Sequence, residues 1–323
     1  MDICLHLGAH RTGSTSLQVF MNANRKAFLK DRTTFWGPGR TRSGLFAGLI
    51  RDPRRLTPAD RALGQRSLGR IRMEMSRAAL NGNDRLVISE ENILGTLSQN
   101  FGQCQLYPQA ADRLARFAPA FGGQGLRIGL AIRSYDTHWA SALAFGAKAG
   151  RALPNPQMLD RLTTQPRRWR HVIKDIAHVF PEAQIAIWSF EAWASQQPQQ
   201  VCALTNRLLP RTTAGPTQVN NASPSAAEIA VIAQERGDHA LAETLKSTIG
   251  RYQPFNAAQQ HKLRQDYATD IDWLKAGSDG LATYYDMTGD TSGASLHPRG
   301  RHNDQEKRMG RPRHERTARP LAG

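Results

Sequence analysis

The sequence predicts an α/β protein with a central parallel sheet flanked by helices on both faces. Four short apolar runs, at residues 3–7, 86–89, 127–132 and 184–188, are each too brief for an ordinary helix and match buried strands. Segments with helical periodicity separate them, and strands that alternate with helices imply right-handed crossovers and a sheet covered on both sides. The 323 residues, 40% of them apolar, supply enough material for one large core or two smaller ones.

The elements follow in chain order. After the first run, Leu17, Phe20, Met21 and Phe28 recur at three-, four- and seven-residue steps, the spacing of one helical face. Before the fourth run, Trp169, Val172, Ile173, Ile176, Val179 and Phe180 form an apolar stripe that Pro181 stops. Ser225 with Glu228 makes a capping box opening a further helix, with Ile229 and Ile232 on its buried side. Residues 33–58 are rich in Gly, Pro and Arg and are expected to form a long excursion over a site. No internal repeat is visible.

Composition narrows the function classes. Mean hydropathy is −0.52, and no apolar run approaches the ~20 residues of a membrane helix. The first residues do not match a secretory signal, because Asp2 stands where basic residues belong and His6 interrupts a short apolar stretch. Three widely spaced cysteines, Cys4, Cys104 and Cys202, support neither a disulfide frame nor a zinc ribbon, so a reducing cytoplasm is the expected location. The formal charge of +16 favours anionic partners. Residues 297–323 hold eight basic and three acidic residues, a net of +5, and form an expected disordered tail that leaves +11 on the body at 1–296.

The most informative segment is Leu7-Gly8-Ala9-His10-Arg11-Thr12-Gly13-Ser14-Thr15-Ser16. A strand ends, a loop bounded by two glycines follows, and a helix opens on three hydroxyl residues. Such a loop gathers backbone N–H groups into a nest, and the helix N-terminus adds positive potential, which together make a phosphate cradle. A nucleotide triphosphate loop places Lys where Ser14 stands, to reach the β- and γ-phosphates. Here the cation is Arg11, in mid-loop, which suits a shorter anion chain. The plainer alternative is a strand-to-helix turn whose Ser14, Thr15 and Ser16 only cap the helix.

The segment HLGAHRTGSTSLQ resembles the 5′-phosphosulfate loop of the sulfotransferase family, usually written Lys-[ST]-Gly-[ST]-[ST], with Arg11 at the place of the Lys. The resemblance implies a P-loop-NTPase-like three-layer fold and 3′-phosphoadenosine 5′-phosphosulfate (PAPS) as donor. It further implies adenosine 3′,5′-bisphosphate (PAP) as product and no metal. It places Gly8, His10, Arg11, Thr12, Gly13, Ser14 and Thr15 at the donor's 5′ end. Arg for Lys keeps the charge but changes its shape to a fixed donor fork.

Arg133 follows the third run at its carboxyl end, where open parallel sheets bind ligands, and Ser141 comes eight residues later. The text IRSYDTHWASALAFG resembles the family's second motif, which implies that Arg133 and Ser141 hold the 3′-phosphate. A solvated cation and a small helix-contact residue are the alternative. Leu86-Val87-Ile88-Ser89-Glu90-Glu91-Asn92 places acids at the end of a strand. Sulfuryl transfer to a hydroxyl or amine needs a proton acceptor. Bacterial sulfotransferase-like chains often carry Ser-Ser-Glu-Asn here, which aligns Glu91 with the family's acid. Glu91 is the first candidate base and Glu90 the second, with His10 and His138 as alternatives. Acids complementing a helix dipole are the structural counterpart.

Ile185-Ala186-Ile187-Trp188-Ser189-Phe190-Glu191 resembles the family's penultimate strand, with Phe190 and Glu191 in structural roles. The expected activity is thus transfer of a sulfuryl group from PAPS to a hydroxyl or amine, with Arg11 and Glu91 at the reacting end. The acceptor-side insertions are expected at about 30–85 and 195–295. Arg40, Arg42, Arg51, Arg54 and Arg55 suit an anionic glycan or lipid head group there, or a solvated basic face. Two other classes compete: a nucleotide kinase or NTPase with a degenerate loop, and a basic nucleic-acid-binding protein, although no recognition motif for nucleic acid is present.

Overall fold

The first strand owes its place to alternation. In β1 (Asp2–His6), Ile3 and Leu5 point to one side and Cys4 to the other, and all are buried. The same period of two runs through β3 (Arg85–Ser89), β4 (Leu126–Ile132) and β5 (Gln184–Ser189). Leu86, Ile88, Ile128, Leu130, Ile132, Ile185 and Ile187 join one core; Val87, Ala131, Ala186 and Trp188 join a second on the opposite face. A sheet buried on both sides therefore shows as a continuous apolar run in sequence and as two cores in space. The computed structural model describes residues 1–121, 125–209, 214–215 and 222–286.

Six strands form one all-parallel sheet in the order β2-β3-β1-β4-β5-β6. The edge strands β2 (Thr33–Trp36) and β6 (Thr283–Tyr285) are additions to the sequence reading. Residues 33–58 are therefore not only an excursion: they begin with a strand paired to β3, with Thr33 opposite Arg85. The segments expected as insertions, 30–85 and 195–295, each contribute one edge of the sheet. Four and three residues are too few to display a period, which is why pattern alone missed them.

The principal helices are α1 (Ser14–Ala23), α2 (Pro58–Leu80), α3 (Leu97–Gln103), α4 (Tyr135–Lys148), α5 (Pro156–Thr164), α6 (Trp169–Val179), α7 (Gln197–Thr205), α8 (Ala226–Glu235) and α9 (Ala257–Lys275). Buried residues of α2, α4, α6, α8 and α9 enter the larger core, whereas α1 and α7 cover the smaller one, giving three layers. The expected capping box of α8 is present, Ser225 Oγ accepting from the Glu228 amide at 3.2 Å. The helix anticipated through Phe28 breaks at Asn24, whose Nδ2 donates to the carbonyls of Phe20 and Ala214, both at 3.1 Å.

One buried carboxylate ties α9 to α4 and α6. Asp270, fully buried, accepts from Tyr135 Oη and Arg170 Nε, both at 2.5 Å, and Tyr135 Oη accepts from the Trp169 amide at 2.5 Å. Among the described residues no helix is long and apolar enough to cross a membrane. The tail at 297–323 lies outside the described residues. Strand order matters most for the site: β1 lies between β3 and β4, so its following loop emerges between their carboxyl ends.

Candidate functional site

The β1–α1 loop is built on three residues with left-handed backbone: Gly8 (φ 48°), Arg11 (φ 65°) and Gly13 (φ 82°). At Gly8 a Cβ would lie 2.7 Å from Ser14 Oγ, so the turn demands glycine for space as well as for φ. Gly13 caps α1 with no side-chain hydrogen bond. Ser14 does not cap the helix, as the plainer alternative had it, and two of the hydroxyls have another use. Thr12 Oγ1 and Ser14 Oγ both donate to the Ala9 carbonyl, at 2.6 and 3.3 Å, and close the loop on itself. Arg11 is an L-residue in a region that costs roughly 1–2 kcal/mol. Its carbonyl is held there by Arg133 Nη1 at 2.8 Å.

Arg133 is itself fixed on every side. Its Nε donates to Thr137 Oγ1 at 3.1 Å, its guanidinium lies 4.5 Å from the Phe190 ring centroid, and its carbonyl accepts from Trp169 Nε1 at 2.8 Å. Burial pushes its pKa down to about 10, with Glu191 opposing and the nearby Arg251 and Arg11 adding to the fall. The loop cation and the helix serine, expected at opposite ends of a donor, are in direct contact. Arg11 Nε donates to Ser141 Oγ at 2.9 Å, and Arg11 Nη2 donates to Ser223 Oγ at 3.2 Å. Ser141 and Ser223 hydroxyls are 2.5 Å apart. Arg11 also stacks over Phe145, 4.9 Å from its centroid.

The two acids divide. Glu90 is fully buried, and its carboxylate accepts from Thr41 Oγ1 (2.5 Å), Arg42 Nη2 (2.8 Å), Asn92 Nδ2 (2.8 Å) and the Asn92 amide (3.1 Å). It anchors the chain after β2 and does not line the cavity. Glu91 does line it, accepting from Arg42 Nη2 at 2.7 Å and Gln18 Nε2 at 3.1 Å. Burial alone would raise the Glu91 carboxyl, but its hydrogen bond to Arg42 and the charge of that guanidinium outweigh it and hold the pKa below the usual carboxylate range.

The histidines also divide. His10 lines the cavity; its amide donates to Tyr107 Oη at 2.7 Å and its Nδ1 lies 3.0 Å from the same oxygen. Burial lowers its pKa against the raising influence of Glu91 and Glu90, so it is neutral at pH 7. His138 is sealed at 0% exposure between Trp139 and Trp169, and neither ring nitrogen has a hydrogen-bond partner among the described residues. Burial drives its pKa well down, and it cannot meet a substrate.

These residues surround a cavity of about 440 Å³ at the carboxyl ends of the central strands. His10, Arg11, Gly13, Ser14, Thr15, Glu91 and Arg133 form its wall together with Gln18, Arg42, Phe145, Phe190, Ser223 and Arg251. Gly8, Thr12 and Ser141 are not in its lining; Thr12 closes the loop on Ala9 and Ser141 accepts from Arg11. Sequence reasoning missed Gln18, Phe145, Ser223 and Arg251, and gave Phe190 only a structural role. A signal existed for Gln18, which falls one turn after Ser14 on α1; none existed for Ser223 or Arg251.

The basic face expected from residues 40–55 is largely neutralised. Arg40 pairs with Glu74 at 2.6 Å, Arg42 with Glu90 and Glu91, Arg51 with Asp60 at 3.7 Å and Arg54 with Asp52 at 3.5 Å. Among the described residues no group of three His, Cys, Asp or Glu is arranged to hold a metal ion. Comparison of the chain with protein-family models, with curated proteins and with solved structures found no match.

Proposed function

We propose that the protein is a sulfotransferase of P-loop-NTPase-like fold that moves a sulfuryl group from PAPS to a hydroxyl or amine. The observation that carries this reading is the mid-loop cation. Arg11 sits in a left-handed cradle before α1, Ser14 occupies the place where a triphosphate loop needs Lys, and Arg133 and Arg251 add positive charge to the same cavity. A volume of about 440 Å³ falls within the range of small-molecule sites. Its cationic and hydroxyl lining suits a bisphosphate.

The chemistry asks the protein to position two reactants and to stabilise charge on the departing phosphate. The acceptor oxygen or nitrogen forms a bond to sulfur as the bond between sulfur and the bridging phosphate oxygen breaks. The electron pair leaves with the 5′-phosphate of PAP, and the acceptor proton passes to a protein base. Loop amides, Ser14 and Thr15 face the 5′ end. Arg11 joins them there, while Arg133 and Ser141 face the 3′ end; the bond from Arg11 Nε to Ser141 Oγ brings the two groups together. The two ends are then recognised by one connected set of cations, because Arg133 also grips the Arg11 carbonyl.

Glu91 is ionised at neutral pH and lines the cavity, which suits it to accept the proton; its pairing with Arg42 weakens it as a base. His10, neutral and in the same wall, is the competing base. The kinase or NTPase reading requires a phosphate-reaching Lys that this loop replaces with Ser14. The nucleic-acid reading rests on net charge alone.

The test is a thermal-shift comparison of PAP without metal against ATP with magnesium, followed by transfer of labelled sulfate. PAP is expected to raise Tm and ATP to leave it unchanged. Arg11→Ala is expected to keep the fold and lose most turnover and most of the PAP shift. Wild-type turnover in that variant removes Arg11 from the reaction, and stabilisation by magnesium ATP in place of PAP replaces this proposal with the kinase.

A further inference from the structure

A second, larger cleft of about 620 Å³ lies outside the site described above. Its floor is apolar and buried: Phe101 and Cys104 at the end of α3, and Leu143 on α4. Its rim carries Arg151 and Arg161, together with Asn155 and Gln157, and among the described residues no Asp or Glu lines it. Arg151 is posed toward this opening, its guanidinium 5.1 Å from the Phe101 centroid and its Nη1 donating to Ser98 Oγ at 3.1 Å. Arg161 forms no ion pair with any described carboxylate. An apolar floor beneath a rim of two cations without acids selects a ligand with an apolar body and an anionic end.

The same two helices wall both cavities. Leu97 on α3 and Phe145 on α4 line the catalytic cavity, whereas Phe101, Leu143 and Gly146 line the cleft. Leu97 and Phe101 are one turn apart, about 6 Å along the helix axis, and Phe145 is next to Gly146 in the chain. Neighbouring turns of α3 and α4 thus face the two cavities, and a ten-carbon chain, nine bonds at the roughly 1.1–1.2 Å per bond of extended backbone, reaches about 10–11 Å, further than that one-turn step.

We propose that this cleft holds the apolar body and anionic end of the acceptor, an amphipathic hydroxylated or aminated carboxylate or phosphate. Its nucleophilic end enters the catalytic cavity past Leu97 and Phe145. This role as acceptor site rests on the sulfuryl-transfer reading. It moves acceptor choice from residues 30–85 and 195–295 to the groove between α3, α4 and α5.

The experiment uses the full chain and calorimetric titration with decanoate, decyl phosphate and neutral decanol. Two variants, Ala152→Trp and Arg161→Glu, alter exposed positions in the cleft wall and touch nothing in the donor cavity. Wild-type protein is expected to bind the two anions at least tenfold more tightly than decanol. Each variant is expected to lose at least tenfold of anion affinity while the PAP-induced thermal shift stays at its wild-type value. With 10-hydroxydecanoate as acceptor, labelled sulfate transfer is expected to fall at least tenfold in Ala152→Trp. Equal affinity for decanol and the anions, or unaltered binding and transfer in both variants, overturns the proposal. Anion binding that depends on Ala152 and Arg161 in a protein that PAP does not stabilise keeps the cleft as an amphipathic-anion site and removes the sulfuryl-transfer reading. A PAP shift without anion binding removes the cleft alone.

Discussion

Arg42→Ala tests the joint between the sheet edge and the site. Glu90 has no solvent exposure, and among the described residues its carboxylate has one cationic partner, Arg42, beside the neutral donors Thr41 and Asn92. Breaking a buried ion pair by removing one partner costs about 3–5 kcal/mol, because the remaining charge stays buried without compensation. Arg42 is 43% exposed, so water already screens part of its charge. The expected cost is therefore about 2–3 kcal/mol after that discount. For a chain of this size, with an unfolding entropy of about 2.1 cal/mol/K per residue, that lowers Tm by about 3–4 °C. Urea unfolding followed by tryptophan fluorescence measures it. The second variant, Glu90→Gln in the Arg42→Ala background, is expected to recover most of the loss, since a neutral amide needs no counter-charge. A single variant within about 0.5 kcal/mol of wild type, or a double variant no more stable than the single, refutes the reasoning.

Three further outcomes follow from the same geometry. Gly8→Ala introduces a left-handed alanine and a Cβ 2.7 Å from Ser14 Oγ, so the chain should still fold but lose the PAP-induced thermal shift. An unchanged shift would show that the loop does not hold the donor. Glu91→Gln is expected to lower turnover by about 10²–10⁴-fold with PAP affinity retained; if His10→Asn has that effect and Glu91→Gln does not, the base is His10. His6, buried against Ser89 and Trp188, has its pKa driven down to about 4 by desolvation, against a weaker opposing influence from Glu91. Its folded pKa lies below its unfolded value of about 6.5, so the unfolded state binds the proton first, and stability complete above pH 6.5 declines down to pH 4. The decline should amount to about 3 kcal/mol, and His6→Gln should flatten it in denaturation curves recorded from pH 7 to 4; an unaltered slope locates the proton elsewhere.

Legibility followed the range of each interaction. The strands at the sheet centre were readable because Ile3, Leu5, Leu86, Ile88 and their neighbours are buried whichever way they point. The α6 stripe from Trp169 to Val179 and the Ser225 capping box were readable because both signals lie within one or two turns. The strand pairing of Thr33–Trp36 and Thr283–Tyr285 was not, since an edge strand of three or four residues carries no measurable period. His138 looked like a base by residue type, and only its enclosure between Trp139 and Trp169 shows that no substrate reaches it. Glu90 and Glu91 are adjacent in sequence and opposite in situation, because alternation past the end of β3 turns one inward to Arg42 and Thr41 and the other toward the cavity.

The order of residues alone determined an α/β chain, the buried central strands, the glycine-bounded turn before Ser14 and the concentration of positive charge. All of these arise from neighbours a few positions apart, through steric limits on φ, the periods of helix and strand, and apolar burial. Tertiary structure decided which distant groups meet: Arg11 with Ser141 and Ser223, Arg133 with the Arg11 carbonyl, Arg42 with Glu90 and Glu91. Those contacts span between 48 and 212 residues. They exist because β1 lies between β3 and β4 and β2 pairs with β3, a choice of strand order that many sequences with the same local pattern could make differently.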